Sequence, residues 1–365
     1  MGRISARTTS FDFDIDTQPG ETVLSALRRS NLPASGFLLQ DDHGGFMSLA
    51  RVVGDGETVT AHSLRNPDFS ILDPAVQVVP ANEPVAEIFA ADGPQQTLTL
   101  VQFNRQQGID YIYRCFATVL DDYRAGAGGD NDIQIALSGG GDGRIVGECA
   151  GRYQHDNPGV RFHAVITANG FEDETGHLTS AVRIAQTFGI AYTMFDEAAS
   201  AQRLGFADGF GPALDRYREQ FPDDEAEVLA TYWVQELNLA VATETGRRGI
   251  IFGFNQEDVI AERLYQALSG KVLPPYPVRA TATADIIAPL YKIPKRLIDA
   301  LDLDNSMTNY ERRQPSVSYL RSALYFVAYQ LIERFPTLAA AYADPTILAR
   351  ASEDVPPWLI TPDTP

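Results

Sequence analysis

The sequence predicts an α/β protein: a doubly wound parallel sheet, preceded by a small β-rich domain and followed by a helical tail. Three observations carry this. From Ile133 onward, short apolar runs alternate with longer amphipathic segments, the pattern of strands joined by crossover helices. A glycine-rich stretch, Ser138 to Gly143, lies directly between the first of those strands and its helix. Near the start of the chain, Phe11, Phe13 and Ile15 alternate with Asp12, Asp14 and Asp16, the period of two of a half-buried strand.

The elements follow in order. Phe11 to Ile15 is expected as a strand, and Pro19-Gly20 as a turn. Thr22 then caps a short helix containing Val23, Leu24, Ala26 and Leu27. Gly36 to Leu39, Met47 to Val53 and Thr58 to Ala61 read as strands, separated by turns at Asp41 to Gly45 and Gly54 to Gly56. Pro80, Pro84 and Pro94 mark a loop-like linker. A helix is expected from Ile109 to Tyr123, because Ile112, Phe116, Val119, Leu120 and Tyr123 share one face. Strands follow at Ile133 to Leu137, Phe162 to Thr167, Ile190 to Phe195 and Ile250 to Gly253. Helices are expected at Arg144 to Tyr153, Leu178 to Phe188, Glu225 to Gly246 and Asp258 to Leu268. Ser316 to Ala341 reads as the helical tail, interrupted at Pro336. The domains are therefore placed at 8–80, 106–300 and 301–365, with a linker at 81–105.

Composition narrows the function. With 365 residues, 44% apolar and 21% charged, the chain can bury two substantial cores. It has no apolar run long enough for a membrane span and its start does not resemble a signal peptide, so a cytoplasmic setting is expected, with no membrane partner. Two cysteines exclude a disulfide framework, a four-cysteine zinc site and a cysteine-held iron–sulfur cluster from this chain alone. The five histidines form no metal-binding pattern. A net charge of −19 argues against a nucleic-acid partner. The three lysines, Lys271, Lys292 and Lys295, fall in one segment; with Arg263, Arg312 and Arg313 they form a basic group suited to a triphosphate or an acidic substrate.

The chemistry concentrates in Ser138-Gly139-Gly140-Gly141-Asp142-Gly143. Successive glycines are expected to adopt left-handed backbone and bring N–H groups to an anion, with the next helix aiming its positive end at the same point. Ser138 adds a hydroxyl and Asp142 a carboxylate for Mg²⁺. The loop lacks the Gly-Lys-Ser/Thr of a Walker A loop and the spacing of a dinucleotide fingerprint. Further on, Asp258 and Glu262 stand four apart, on one face near a helix start.

Ser-Gly-Gly-X-Asp between strand and helix resembles the PP-loop of the ATP pyrophosphatase (adenine nucleotide α-hydrolase-like) superfamily. Gly253 to Glu262 is similar to the Gly-His-X-X-X-Asp-X-X-Glu segment of its tRNA 2-thiocytidine, tRNA 2-thiouridine and tRNA-lysidine synthetase branches. Ile287-Ala288-Pro289-Leu290 with Ile293-Pro294-Lys295 resembles the segment that follows. The N-terminal order of strands and helix resembles a ubiquitin-like (β-grasp) domain. The resemblance implies ATP and Mg²⁺, and adenylation of a carbonyl or carboxylate oxygen with release of pyrophosphate. A nitrogen or sulfur nucleophile from an amine or sulfur donor then displaces AMP. It places Ser138 to Gly143 on the phosphates and Ile166, Ala168 and Asn169 on adenine. Gly253, Asp258 and Glu262 would lie across the cleft, and Asp142, Asp258 and Lys292 would be catalytic. Family habit implies a homodimer.

Three departures bear on function. Gly143 replaces the usual serine, Phe254 replaces the histidine, and the cluster cysteines are absent. A small-molecule or carrier-bound substrate is therefore favoured over tRNA. The alternatives are a tRNA-type sulfur transferase and a nucleotide-binding regulatory protein without turnover. Cys115 and Cys149 read as core cysteines, with a persulfide role as the competing reading.

Overall fold

The computed structural model describes residues 2–7, 12–32, 37–43, 47–63, 75–90, 97–126, 131–168, 174–220, 227–302 and 319–343. Asn169, Arg312 and Arg313 lie outside the described residues. The chain divides into two compact units, Met1–Ala75 and Val76–Pro365.

The first unit contains β1 (Arg3–Arg7), β2 (Asp12–Asp16), α1 (Val23–Arg29), β3 (Phe37–Gln40) and β4 (Thr58–Ser63). The strands lie in the order β2-β1-β4-β3. β1 runs antiparallel to β2 and parallel to β4, and β3 is antiparallel to β4. Alternation places Ile4, Ala6, Ile15, Val59 and Ala61 on the buried face, where Val23, Ala26 and Leu27 of α1 cover them. Thr22 caps α1 as expected, accepting from the Ser25 N–H.

Two expectations for this unit fail. β1 lies ahead of the anticipated start at residue 8, because Ile4 and Ala6 are too small and few a set to announce a strand. Met47 to Val53 is not a strand; a bridge from Val52 to Thr22 and a bond from Met47 N to Leu39 O of β3 at 3.0 Å tie it in place. Its backbone serves α1 instead. Arg51 O accepts from Val23 N at 3.0 Å and Leu49 O from Leu24 N at 2.9 Å, satisfying donors that a helix start leaves free.

The second unit opens with β5 (Ala75–Val79), β6 (Ala86–Ala90) and β7 (Thr97–Phe103), in the order β5-β7-β6. The expected loop-like linker at 81–105 thus holds an antiparallel strand pair. Pro80 and Pro84 fall between β5 and β6, where no ladder N–H is needed. α2 (Arg105–Gly126) follows, longer at both ends than its apolar stripe predicted.

The main sheet comprises β8 (Asp132–Ala136), β9 (Arg161–Thr167), β10 (Ala191–Phe195), β11 (Gly249–Phe252), β12 (Val278–Ala280) and β13 (Asp285–Ile287). Their order is β10-β9-β8-β11-β13-β12, and every neighbouring pair is parallel except β12 with β13. The connecting helices are α3 (Gly141–Asp156), α4 (Glu174–Thr187), α5 (Glu197–Arg203), α6 (Phe210–Gln220), α7 (Glu227–Thr245), α8 (Gln256–Leu268) and α9 (Lys295–Leu301). α5, α6, β12, β13 and α9 were not anticipated; β12 and β13 have three residues each and α5 and α9 seven. Gly189 and Gly246 close their helices with φ of +64° and +71°.

β8 is buried on both faces. Ile133 and Ile135 join the core with Phe116, Ile145 and Cys149 of α2 and α3. Gln134 turns the other way and donates to Asn238 of α7 at 3.0 Å. The chain winds from β8 outward through β9 to β10, then crosses back to β11 on the far side of β8. This reversal parts the connections leaving β8 and β11 and opens a crevice at their carboxyl ends. α10 (Tyr319–Arg334) and α11 (Pro336–Ala343) then pack on α8 through Ile260, Ala328, Ile332 and Ala339. The break at Pro336 suits the first position of a helix. Among the described residues, no helix is long and apolar enough to cross a membrane.

Candidate nucleotide site

A cavity of about 360 Å³ fills the crevice. Ser138, Asp142 and Gly143 line one side, Gly253, Phe254 and Asp258 another, and Arg321 and Tyr325 of α10 a third. The helical tail therefore belongs to the site.

The glycine loop is built by close approach rather than by left-handed backbone. None of Gly139, Gly140, Gly141 and Gly143 has a positive φ, which corrects the expectation drawn from their number. A Cβ at position 143 would stand 2.1 Å from Ser138 O and 2.8 Å from Ser138 Oγ. Position 143 therefore has no room for a serine side chain while the loop holds this shape. At position 139 a Cβ would meet His177 O at 2.3 Å. α4 grips the loop there: Ser180 Oγ donates to Gly139 O at 2.8 Å, and Gly139 N donates to His177 Nε2 at 3.3 Å. Gly140 is the N-cap of α3, so the helix start faces the loop.

Asp142, in the first turn of α3, meets the opposite wall. Its Oδ2 lies 2.6 Å from Lys295 Nζ, and its Oδ1 accepts from Asn255 Nδ2 at 3.2 Å. Asn255 also caps α8, accepting from Asp258 N at 3.0 Å, while Asp258 Oδ2 accepts from Asn255 N at 3.0 Å. Asp258 Oδ1 accepts from Tyr325 Oη at 2.6 Å. Asn255 thus joins Asp142 to Asp258, and α10 completes the chain of bonds. Burial, then the nearby Asp142, raises the proton affinity of Asp258. Burial alone would lower that of Lys295, but Asp142, then Asp299 and Asp258, outweigh it and keep the ammonium charged.

Several expected site residues are placed differently. Lys292 is exposed, with its ammonium 5.0 Å from the Tyr291 ring centre, and the lysine that reaches the loop is Lys295. Ile166 is core, and Ala168 N already donates to Phe195 O at 3.2 Å. Val165 and Thr167 line the cavity instead, being the alternate residues of β9. Glu262 lines the cavity with both oxygens engaged, by Tyr276 Oη and by Arg279 Nη1 at 2.7 Å. Arg263 is buried, its Nη1 donating to Pro274 O at 3.4 Å, and contributes nothing to a basic surface. Asn255 and Tyr325 escaped the sequence reading, and Lys295 entered it only as one of the basic group. Only the capping pattern of Asn255 with Asp258 was readable locally.

Among the described residues, no group of three His, Cys, Asp or Glu side chains is placed to hold a metal ion. Both oxygens of Asp142 already accept hydrogen bonds. These residues form no all-protein magnesium cage; the role expected of Asp142, one carboxylate beside phosphate oxygens, does not need one. Neither thiol reaches the cavity: Cys149 is 2% exposed in the core, and Cys115 lies partly buried on α2. Burial pushes both thiols above their ordinary values.

No family model matches the sequence, and no curated protein matches it. Solved structures give distant likenesses. A U34-tRNA thiolase NcsA from Methanococcus maripaludis, with its 4Fe-4S cluster, is 17% identical, covers 70% of this chain and 82% of its own, and has a TM-score of 0.49. An NH3-dependent NAD synthetase from Campylobacter jejuni, in complex with nitrate, is 14% identical over 70% and 98% of the two chains, with a TM-score of 0.36. An NAD+ synthetase from Burkholderia pseudomallei is 16% identical over 70% and 91%, with a TM-score of 0.37. At such values these likenesses carry no argument about activity, and the α/β architecture rests on the strand order described above.

Proposed function

We propose that the second unit is a PP-loop enzyme that adenylates a carbonyl or carboxylate oxygen of a small molecule using ATP. The observation that carries the reading is the glycine loop and helix start of α3 at the switch-point cavity, with Asp142 on its lining and Lys295 ion-paired to Asp142. Backbone N–H groups and a helix N-terminus suit phosphate oxygens, and Lys295 suits the charge that develops on departing pyrophosphate. The substrate oxygen attacks the α-phosphorus, pyrophosphate leaves, and a nucleophile expels AMP, which carries that oxygen away. Asp258, with its raised proton affinity, is suited to take the proton that the nucleophile sheds.

The position of the cysteines supports a diffusible nucleophile, ammonia or hydrosulfide, over a cysteine-bound persulfide. The net charge of −19 supports a small acceptor over tRNA. The strand order of the first unit supports a β-grasp reading for it, with a docking or structural role.

The test is conversion of ATP to AMP and pyrophosphate by the purified protein with Mg²⁺. The acceptors are carboxylates, amides and ureas, offered with ammonium or sulfide, and wild type is compared with Asp142→Ala. AMP formation that requires Asp142 is expected. ADP as the nucleotide product, or no ATP binding, overturns the reading.

A further inference from the structure

Glu257 is a buried carboxylate with no part in the chemistry above. It is the second residue of α8, beside Asp258, yet points away from the cavity and is only 2% exposed. Its Oε2 accepts from the backbone N–H of Lys295 at 2.8 Å. That N–H opens α9, whose N-cap is Pro294, a residue with no side-chain cap to offer. Next to it, Gln256 N donates to Ile293 O at 3.0 Å, so the start of α8 grips the turn entering α9 at two points. Lys295 is held by this grip at its backbone and reaches Asp142 with its side chain.

We propose that Glu257 is a positioning residue: it caps α9 from a different helix and thereby sets Lys295 against the phosphate loop. The claim that Lys295 then serves ATP rests on the proposed function, whereas the claim that Glu257 places Lys295 does not. The charged groups around Glu257 are Asp258 on its own helix, Asp142 on α3 and Lys295 on α9. Burial first, then Asp258 and Asp142, raises its proton affinity to about 8, although the Lys295 N–H opposes this. The folded chain therefore binds a proton here that the unfolded chain releases above about 4.5. Wild type is expected to lose stability relative to Glu257→Gln as pH rises from about 4.5 to about 8, the window between those values.

The experiment is a pair of double-mutant cycles on the full chain, using Glu257→Ala, Lys295→Ala and the double variant, with Glu257→Gln as the conservative replacement. One cycle reads urea unfolding without nucleotide, and the other reads ATP binding by calorimetry. Glutamine keeps an acceptor oxygen and is expected to bind ATP like wild type, whereas alanine is expected to weaken binding about tenfold. If Glu257 acts through Lys295, the double variant is no weaker for ATP than Lys295→Ala, and its stability loss is smaller than the sum of the two single losses. Additive losses in the stability cycle, or failure of glutamine to rescue, overturn the proposal. A wild type that binds no ATP sinks the ATP reading alone, because the stability cycle still decides whether Glu257 places Lys295.

Discussion

The two walls of the crevice are made in opposite ways. The loop wall, Ser138 to Gly143, is contiguous in sequence and shaped by its own glycines, with Gly143 pressed onto Ser138. The facing wall is assembled from Asn255, Asp258, Lys295 and Tyr325, which come from three helices and the residue before one of them. A contiguous wall advertises itself in the sequence and fails as a unit. An assembled wall is silent in the sequence and is expected to fail bond by bond.

Gly143→Ala gives the largest expected effect. The added methyl cannot coexist with Ser138 O at 2.1 Å, so backbone must move. A loss of about 3 kcal/mol in urea unfolding is expected, with ATP binding abolished. Retained ATP binding would mean that the loop is less tightly specified than its glycines imply. Lys295→Met comes next. It leaves Asp142, a quarter exposed at its side chain, without its cation and beside Asp258. A loss of about 2 kcal/mol is expected, below the figure for a fully buried pair because water still reaches Asp142.

This contrast explains what the sequence disclosed. The alternation from Ile133 onward identified β8 to β11 and their long helices, because β8, β9 and β11 are largely buried and so read as continuous apolar strands. The loop was found because strand, glycines and helix are adjacent. Lys295 was passed over for Lys292, three residues away, because both are basic and only the turn at Ile293-Pro294 decides which one faces Asp142. Tyr325 was invisible because its reach to Asp258 depends on α10 packing against α8, a relation between residues 67 apart. The strands in 81–105 were hidden by prolines that mark turns between strands as readily as they mark linkers.

Tyr325→Phe sharpens the comparison from the assembled side. It removes one donor from Asp258 and leaves the capping bond from Asn255 N intact. The expected loss is about 1 kcal/mol of stability, since one hydrogen bond goes and its ring remains packed. The Tyr325 hydroxyl opposes the rise in Asp258's proton affinity, so its removal raises that affinity further. A pH profile of AMP formation that depends on ionised Asp258 is then expected to move to higher pH. An unmoved profile would separate Asp258 from the proton transfer.

Ser180→Ala is expected to have the smallest effect, and it bears most directly on whether the loop wall stands by itself. Ser180 supports the loop from outside, donating to Gly139 O at 2.8 Å. The serine's removal leaves that carbonyl without its α4 donor, a change worth about 1 kcal/mol. Gly139 N keeps its bond to His177 Nε2 at 3.3 Å, and the contact of Gly143 with Ser138 is untouched. ATP binding is therefore expected to weaken only about threefold, the equivalent of a fraction of one hydrogen bond. If Ser180→Ala instead abolished binding as Gly143→Ala is expected to, the loop would owe its shape to α4 rather than to its own glycines. Both walls of the crevice would then be assembled, and the glycine run would mark where the chain passes close to α4 without by itself making an anion site.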